Sequence, residues 1–172
     1  MVVALGDSLT YGTGAPEGAS YPDLLAAITG WNVHNAGVPG DTAEQACARL
    51  PPLLEEHRPA LVLALVGGND FLRRRPESAI RDALVACVAH AREQGAAIAL
   101  LPVPRLGLGG PSDAPLYAQA ARDLDVPLVD AGLADLIATP ALRADAVHLN
   151  AAGYRAMAER VAKGLSTAGW LR

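Results

Sequence analysis

A serine just beyond a short apolar run, and a carboxylate and an imidazole close together near the far end of the chain, are the groups that could act jointly. Ser8 follows Val2-Val3-Ala4-Leu5 through Gly6-Asp7. Such a run reads as a buried parallel strand entering a turn, with Ser8 at the strand's carboxyl end and a helix starting beside it. Ligands of open α/β sheets bind beyond that edge. Alone, Ser8 reads more readily as the N-cap of the helix than as a nucleophile. Asp145-Ala146-Val147-His148 weighs for chemistry. His148 is the candidate base for the Ser8 hydroxyl, and Asp145 can hold the imidazole tautomer and stabilise the imidazolium. The same pair read as metal ligands lacks further ligands at fixed spacing.

Acyl transfer also needs donors aimed at the developing oxyanion. The Ser8 N–H, the Gly40 N–H and the Asn69 side-chain amide are of the right kind, and each such donor is worth about 3–4 kcal/mol in the transition state. Gly40 is also a glycine suited to its turn, and Asn69 is also suited to an Asx turn after a strand. Asp7 and Asp70 read as carboxylates bracing these loops. His34, His57 and His90 read as structural or solvated.

Those groups must be positioned by a chain of 172 residues, 51% apolar and 19% charged, with net charge −4. This is the size and composition of a single folded domain, residues 1–172. No basic block marks a nucleic-acid partner, and Arg73-Arg74-Arg75 reads as a solvated rim. No apolar stretch is long enough to span a bilayer. Cys47 and Cys87 fall in alanine-rich helical segments and are expected to be buried as small apolar side chains rather than to form a disulfide framework. The sequence as written opens on a core strand, so a cytoplasmic protein is expected, or a periplasmic or secreted one if a leader was removed.

Along the chain, helical spacing marks 21–28, 43–50, a second piece from Pro51-Pro52 through His57, 77–94, 115–123 and 151–165. Strands are expected at 2–5, 31–34, 60–66, 97–101 and 127–129. Loops are expected at 35–42, with Asp41 or Thr42 as helix cap, at Gly67-Gly68-Asn69-Asp70, and at 102–115. Alternating strands and helices give a doubly wound α/β domain with a parallel sheet. Ser8, the Gly40 loop and the Asn69 loop each follow a strand, so all three open on one sheet edge.

Taken together, these residues resemble the SGNH, or GDSL, hydrolase family over almost the whole chain. Gly6-Asp7-Ser8-Leu9 resembles its first block, Gly37 to Thr42 its second, Gly67-Gly68-Asn69-Asp70 its third and Asp145 to His148 its last. No block departs from the family pattern. The resemblance implies a flavodoxin-like three-layer α/β/α sandwich with a mainly parallel, about five-stranded sheet. It implies Ser8, Asp145 and His148 as triad, Ser8, Gly40 and Asn69 as oxyanion hole, and no cofactor or metal. Within the family the compact length and the 35–42 stretch are most similar to small bacterial arylesterases and thioesterase/lysophospholipases. Residues 102–117 then align with a loop bordering the acyl pocket, whose wall would be Leu106, Leu108, Leu116 and Tyr117, the equal alternative being a loop that packs its leucines onto the core. The α/β-hydrolase elbow Gly-x-Ser-x-Gly is not met, because Thr10 stands at the second glycine position.

The function expected is hydrolysis of a small-molecule ester, with short- to medium-chain acyl or aryl groups, thioesters or lysophospholipids as substrate classes. The alternatives are a carbohydrate O-deacetylase, against which the 4% aromatic content counts, and a non-catalytic flavodoxin-like binding domain. The latter lacks a glycine-rich phosphate loop with a lysine.

Overall fold

Val2–Gly6 (β1) and Leu61–Leu65 (β3) are buried along their whole length, as continuous apolar strands covered on both faces must be. They pair in parallel, with Val33–Gly37 (β2) on the other side of β1 and Ala97–Leu100 (β4) beside β3. The sheet order is β2-β1-β3-β4. A computed structural model describes residues 1–171.

The helices are Ser8–Tyr11 (α1), Tyr21–Thr29 (α2), Ala43–Ala48 (α3), Leu50–His57 (α4), Gly68–Leu72 (α5), Glu77–Glu93 (α6), Pro115–Asp123 (α7), Leu133–Ala138 (α8) and Ala151–Thr167 (α9). Helix α2 packs on α9, whereas α3 and α4 pack on α6, so a helical layer covers each face of the sheet. The starts follow capping chemistry. Ser20 caps α2, Thr42 and Gln45 form a reciprocal capping box at α3, and Asn150 caps α9.

Several boundaries differ from expectation. The edge strand occupies 33–37 rather than 31–34, because Asn35-Ala36-Gly37 continue the ladder to Leu5 and Gly6. Gly37 is needed there, since a β-carbon would lie 2.2 Å from the Tyr11 nitrogen of α1. Residues 68–72 form a short helix rather than a loop, opened by the Phe71 N–H donating to Gly67 O at 3.2 Å. Helix α8 had no matching expectation. Within 102–115 a two-stranded hairpin forms, Arg105–Gly107 (β5) with Gly110–Ser112 (β6).

The expected fifth strand is reduced to one bridge between Leu100 and Leu128. Pro127 has no N–H to extend the ladder, and the chain turns away at Gly132, whose N–H donates to Asp130 Oδ1. Cys47 and Cys87 are buried, but they are bonded to each other as a disulfide between α3 and α6. The two helices bring together thiols that local sequence gave no reason to pair.

Candidate active site

Strand β1 ends at Gly6, and Asp7 caps α1 by accepting the Leu9 N–H at 3.0 Å. The cap is therefore Asp7, and Ser8 is the first residue of the helix. Its N–H belongs to the unsatisfied first turn, and its hydroxyl is left to other partners. His148 Nε2 lies 3.0 Å from Ser8 Oγ. On the far side of the ring, Nδ1 lies 2.7 Å from Asp145 Oδ2.

Asp145 Oδ1 accepts the backbone N–H groups of Val147 and His148, each at 2.8 Å. This turn explains how residues three apart in an irregular loop meet. Burial raises the Asp145 pKa, but the hydrogen bonds from the imidazole and the two backbone N–H groups outweigh it and hold the carboxyl below its usual range. Asp145 is thus an anion wherever a neighbouring imidazole would need one.

Gly40 sits in the β2–α3 loop at φ +89°, a conformation open to glycine. Its carbonyl accepts from Arg73 Nη2 at 2.9 Å, and no residue among those described accepts its N–H. Asn69 in α5 places its amide against the same loop, donating to Asp41 O at 2.9 Å and to Asp7 Oδ2 at 3.3 Å.

Two further residues hold this loop. Arg49 donates to Asp41 Oδ2 at 2.8 Å and to the carbonyls of Gly6 and Ala36. Fully buried Asp70 accepts the Ala43 N–H at 2.7 Å. The bracing expected of Asp70 is thus a cross-link between α5 and the start of α3. Arg49 was not anticipated, since an arginine at a helix end carries no local sign of its distant partners.

Asp7 is 4% exposed. Burial pushes its pKa up to about 6, against the lowering effect of the Leu9 hydrogen bond and of nearby His148 and Asn69.

Ser8, Gly40, Asn69 and His148 open into a cavity of about 430 Å³. Its wall includes Phe71, Leu72, Val103, Pro104, Leu106 and Ile137, with Arg74 also lining it. Of the four wall residues expected from sequence, Leu106 is there. The other three are not. Leu108 is fully exposed between β5 and β6, while Leu116 and Tyr117 are core residues, 3% and 1% exposed. Tyr117 turns inward because its hydroxyl donates to Val66 O at 2.7 Å. The residues missed, Phe71 and Leu72, stand directly after the Asn69 block; helical spacing from Asn69 could have brought Leu72 into view, whereas Phe71, two residues on, carries no such sign.

The remaining histidines lie apart from this cavity. His34 and His57 face each other with ring centroids 4.0 Å apart, and burial and His57 lower the His34 pKa. Among the described residues, no group of three or more His, Cys, Asp or Glu is placed to hold a metal ion.

The arrangement is one in which an imidazole can take the proton of a serine hydroxyl while a carboxylate stabilises the resulting cation. Comparison with known proteins agrees. Residues 4–156 match the GDSL-like Lipase/Acylhydrolase family. The chain is 32% identical to thioesterase 1/protease 1/lysophospholipase L1 of Escherichia coli, over 95% of this chain and 82% of that protein. It is 35% identical to an arylesterase of Vibrio mimicus, over 59% of this chain and 54% of that one. In fold it is similar to the esterase EstA from Pseudoalteromonas sp., with a TM-score of 0.86 at 24% identity over 96% of both chains. The chain belongs to the GDSL-like lipase/acylhydrolase family and is a carboxylic ester hydrolase.

Proposed function

We propose that Ser8 is the nucleophile of this hydrolase and that it cleaves short- to medium-chain acyl or aryl esters, thioesters and lysophospholipids falling in the same class. The observation that carries the reading is the unbroken line from Asp145 through the two nitrogens of His148 to Ser8 Oγ, at 2.7 and 3.0 Å. Ser8 Oγ attacks the ester carbonyl as His148 Nε2 takes its proton. The Ser8 and Gly40 N–H groups receive the oxyanion, and Asn69 joins them by giving up the longer of its two hydrogen bonds. The tetrahedral adduct expels the alcohol, which takes the proton from His148, leaving the acyl group on Ser8. Water, deprotonated by the same imidazole, then releases the acid and restores the serine.

A cavity of about 430 Å³ with an apolar wall suits a short or medium acyl chain. The Cys47–Cys87 bond supports action in an oxidising compartment, such as the periplasm or outside the cell.

Initial rates on p-nitrophenyl esters from acetyl to palmitoyl test the reading. Ser8→Ala should lose roughly 10⁴-fold or more in kcat, and Leu106→Ala should shift the chain-length optimum whereas Leu108→Ala should not. Equal rates for wild type and Ser8→Ala would sink the mechanism.

A further inference from the structure

Of the three consecutive arginines after α5, two are tied to the protein. Arg73 donates to Gly40 O, and Arg75 pairs with Glu44 at 2.8 Å and faces Asp70 at 3.5 Å. Arg74 has no hydrogen-bond or ion-pair partner among the described residues, is exposed, and lines the cavity that holds Ser8 and His148. Phe71, Leu72, Val103, Pro104, Leu106 and Ile137 line the same cavity. The one carboxylate of that wall, Asp7, is turned to the Leu9 N–H and the Asn69 amide.

The backbone is also unusual. Arg74 has φ +54°. Its N–H donates to Phe71 O at 3.0 Å and the Arg75 N–H to Asp70 O at 2.8 Å. These are the paired bonds of a Schellman turn, whose left-handed position glycine fills at least cost. Arg58 takes a similar left-handed position after α4, but Arg74 combines it with a place in the lining of the cavity that holds Ser8.

We propose that Arg74 is a specificity-determining residue that pairs with an anionic group of the substrate, so that the enzyme favours esters bearing a carboxylate or phosphate near the scissile bond. The proposal rests on the ester-hydrolase reading above. A guanidinium offers a planar fork of N–H donors that matches either anion. Because Arg74 is exposed at the cavity mouth, such a pair is screened by salt and discriminates modestly.

The experiment compares kcat/KM for matched neutral and anionic esters in two arms. One places the charge on the acyl side, p-nitrophenyl butyrate against the p-nitrophenyl monoester of glutaric acid. The other places it on the leaving group, phenyl acetate against 4-acetoxybenzoate. Using each variant's anionic-to-neutral ratio cancels the intrinsic reactivity of the esters. Arg74→Gln and Arg74→Gly should lower the wild-type ratio in at least one arm by roughly fivefold or more, and Arg74→Glu should lower it further. Raised salt should lower the wild-type ratio towards that of Arg74→Gln. The affected arm identifies which side of the ester carries the anion. Glycine suits the backbone here, so a lowered ratio in Arg74→Gly with an undiminished Tm excludes misfolding as the cause. Ratios within twofold across wild type, Arg74→Gln and Arg74→Glu in both arms would overturn the proposal. Failure of the ester-hydrolase reading shows separately, as neutral-ester turnover that survives Ser8→Ala.

Discussion

Two carboxylates near Ser8 are set in opposite directions by their surroundings. Asp145 accepts three hydrogen bonds and is held below the usual carboxylate range, so it remains an anion facing His148. Asp145→Asn would present an amide to Nδ1, leaving the imidazole without its counter-charge and free to take the other tautomer. A loss of roughly 10²-fold or more in kcat is expected, with KM little changed, in steady-state assays on a soluble ester. Asp7 is instead pushed up to about 6 by burial. Its folded pKa lies above the unfolded value, so the folded state takes up the proton first as pH falls. The stabilisation from this group is fully present below about pH 4 and is lost as pH rises through 6. At neutral pH the buried charge costs about 3 kcal/mol relative to the protonated acid. Asp7→Asn keeps an acceptor for the Leu9 N–H without the charge. Urea denaturation of both proteins from pH 4 to 7.5 should therefore show the variant gaining on wild type by about that amount as pH rises, and a constant difference would contradict the account.

The loop between β2 and α3 carries Gly40, and the elements around it are cross-linked more heavily than its own sequence suggests. The Thr42–Gln45 capping box starts α3, Asp70 reaches over from α5, Arg49 returns from the end of α3, and Cys47 joins α3 to Cys87 of α6. The disulfide spans a sequence separation of 40. Closing a loop of that length restricts the unfolded chain, and removing the bond in a Cys47→Ser/Cys87→Ser variant should cost roughly 2–4 kcal/mol. Chemical denaturation measures this directly, and the intact protein treated with reductant should match the double variant. Loss of the bond would also loosen α3, on which the oxyanion loop depends. Packing on the opposite side of the loop explains why Gly37 closes β2, since the α1 backbone lies where a β-carbon would be.

At the scale of the whole molecule, a parallel sheet delivers successive strand ends to one edge. Ser8 follows β1, Gly40 follows β2 and Asn69 follows β3, while His148 arrives in the loop before α9. One continuous core runs through both helical layers, from Val2 to Leu165, with Trp31 and Trp170 packed against it. Unfolding should accordingly be a single cooperative step. Far-UV circular dichroism and tryptophan fluorescence, the latter reporting Trp31 and Trp170, should give coincident transitions in guanidinium. Separated midpoints would mean that part of the chain folds independently.

Local physics alone determined much of this protein. Apolar runs at 61–65 and 97–100, helical spacing at 77–93 and 115–123, and the cap at Thr42 are short-range features, and residues 2–5, 40, 69 and 145–148 could be picked out by type and position. Tertiary structure decided the rest, because the deciding partners are far apart along the chain. Leu116 and Tyr117 read as wall residues until Val66 offered an acceptor in the core. Cys47 and Cys87 read as unpaired until α3 met α6. The last strand shrank to a bridge because a ladder needs N–H groups that Pro127 lacks. Arg74 read as one of three equivalent rim charges until Gly40, Glu44 and Asp70 engaged its neighbours and left it at the cavity mouth. Spacing records which groups a chain carries; which of them remain available for substrate depends on the contacts that folding makes with the others.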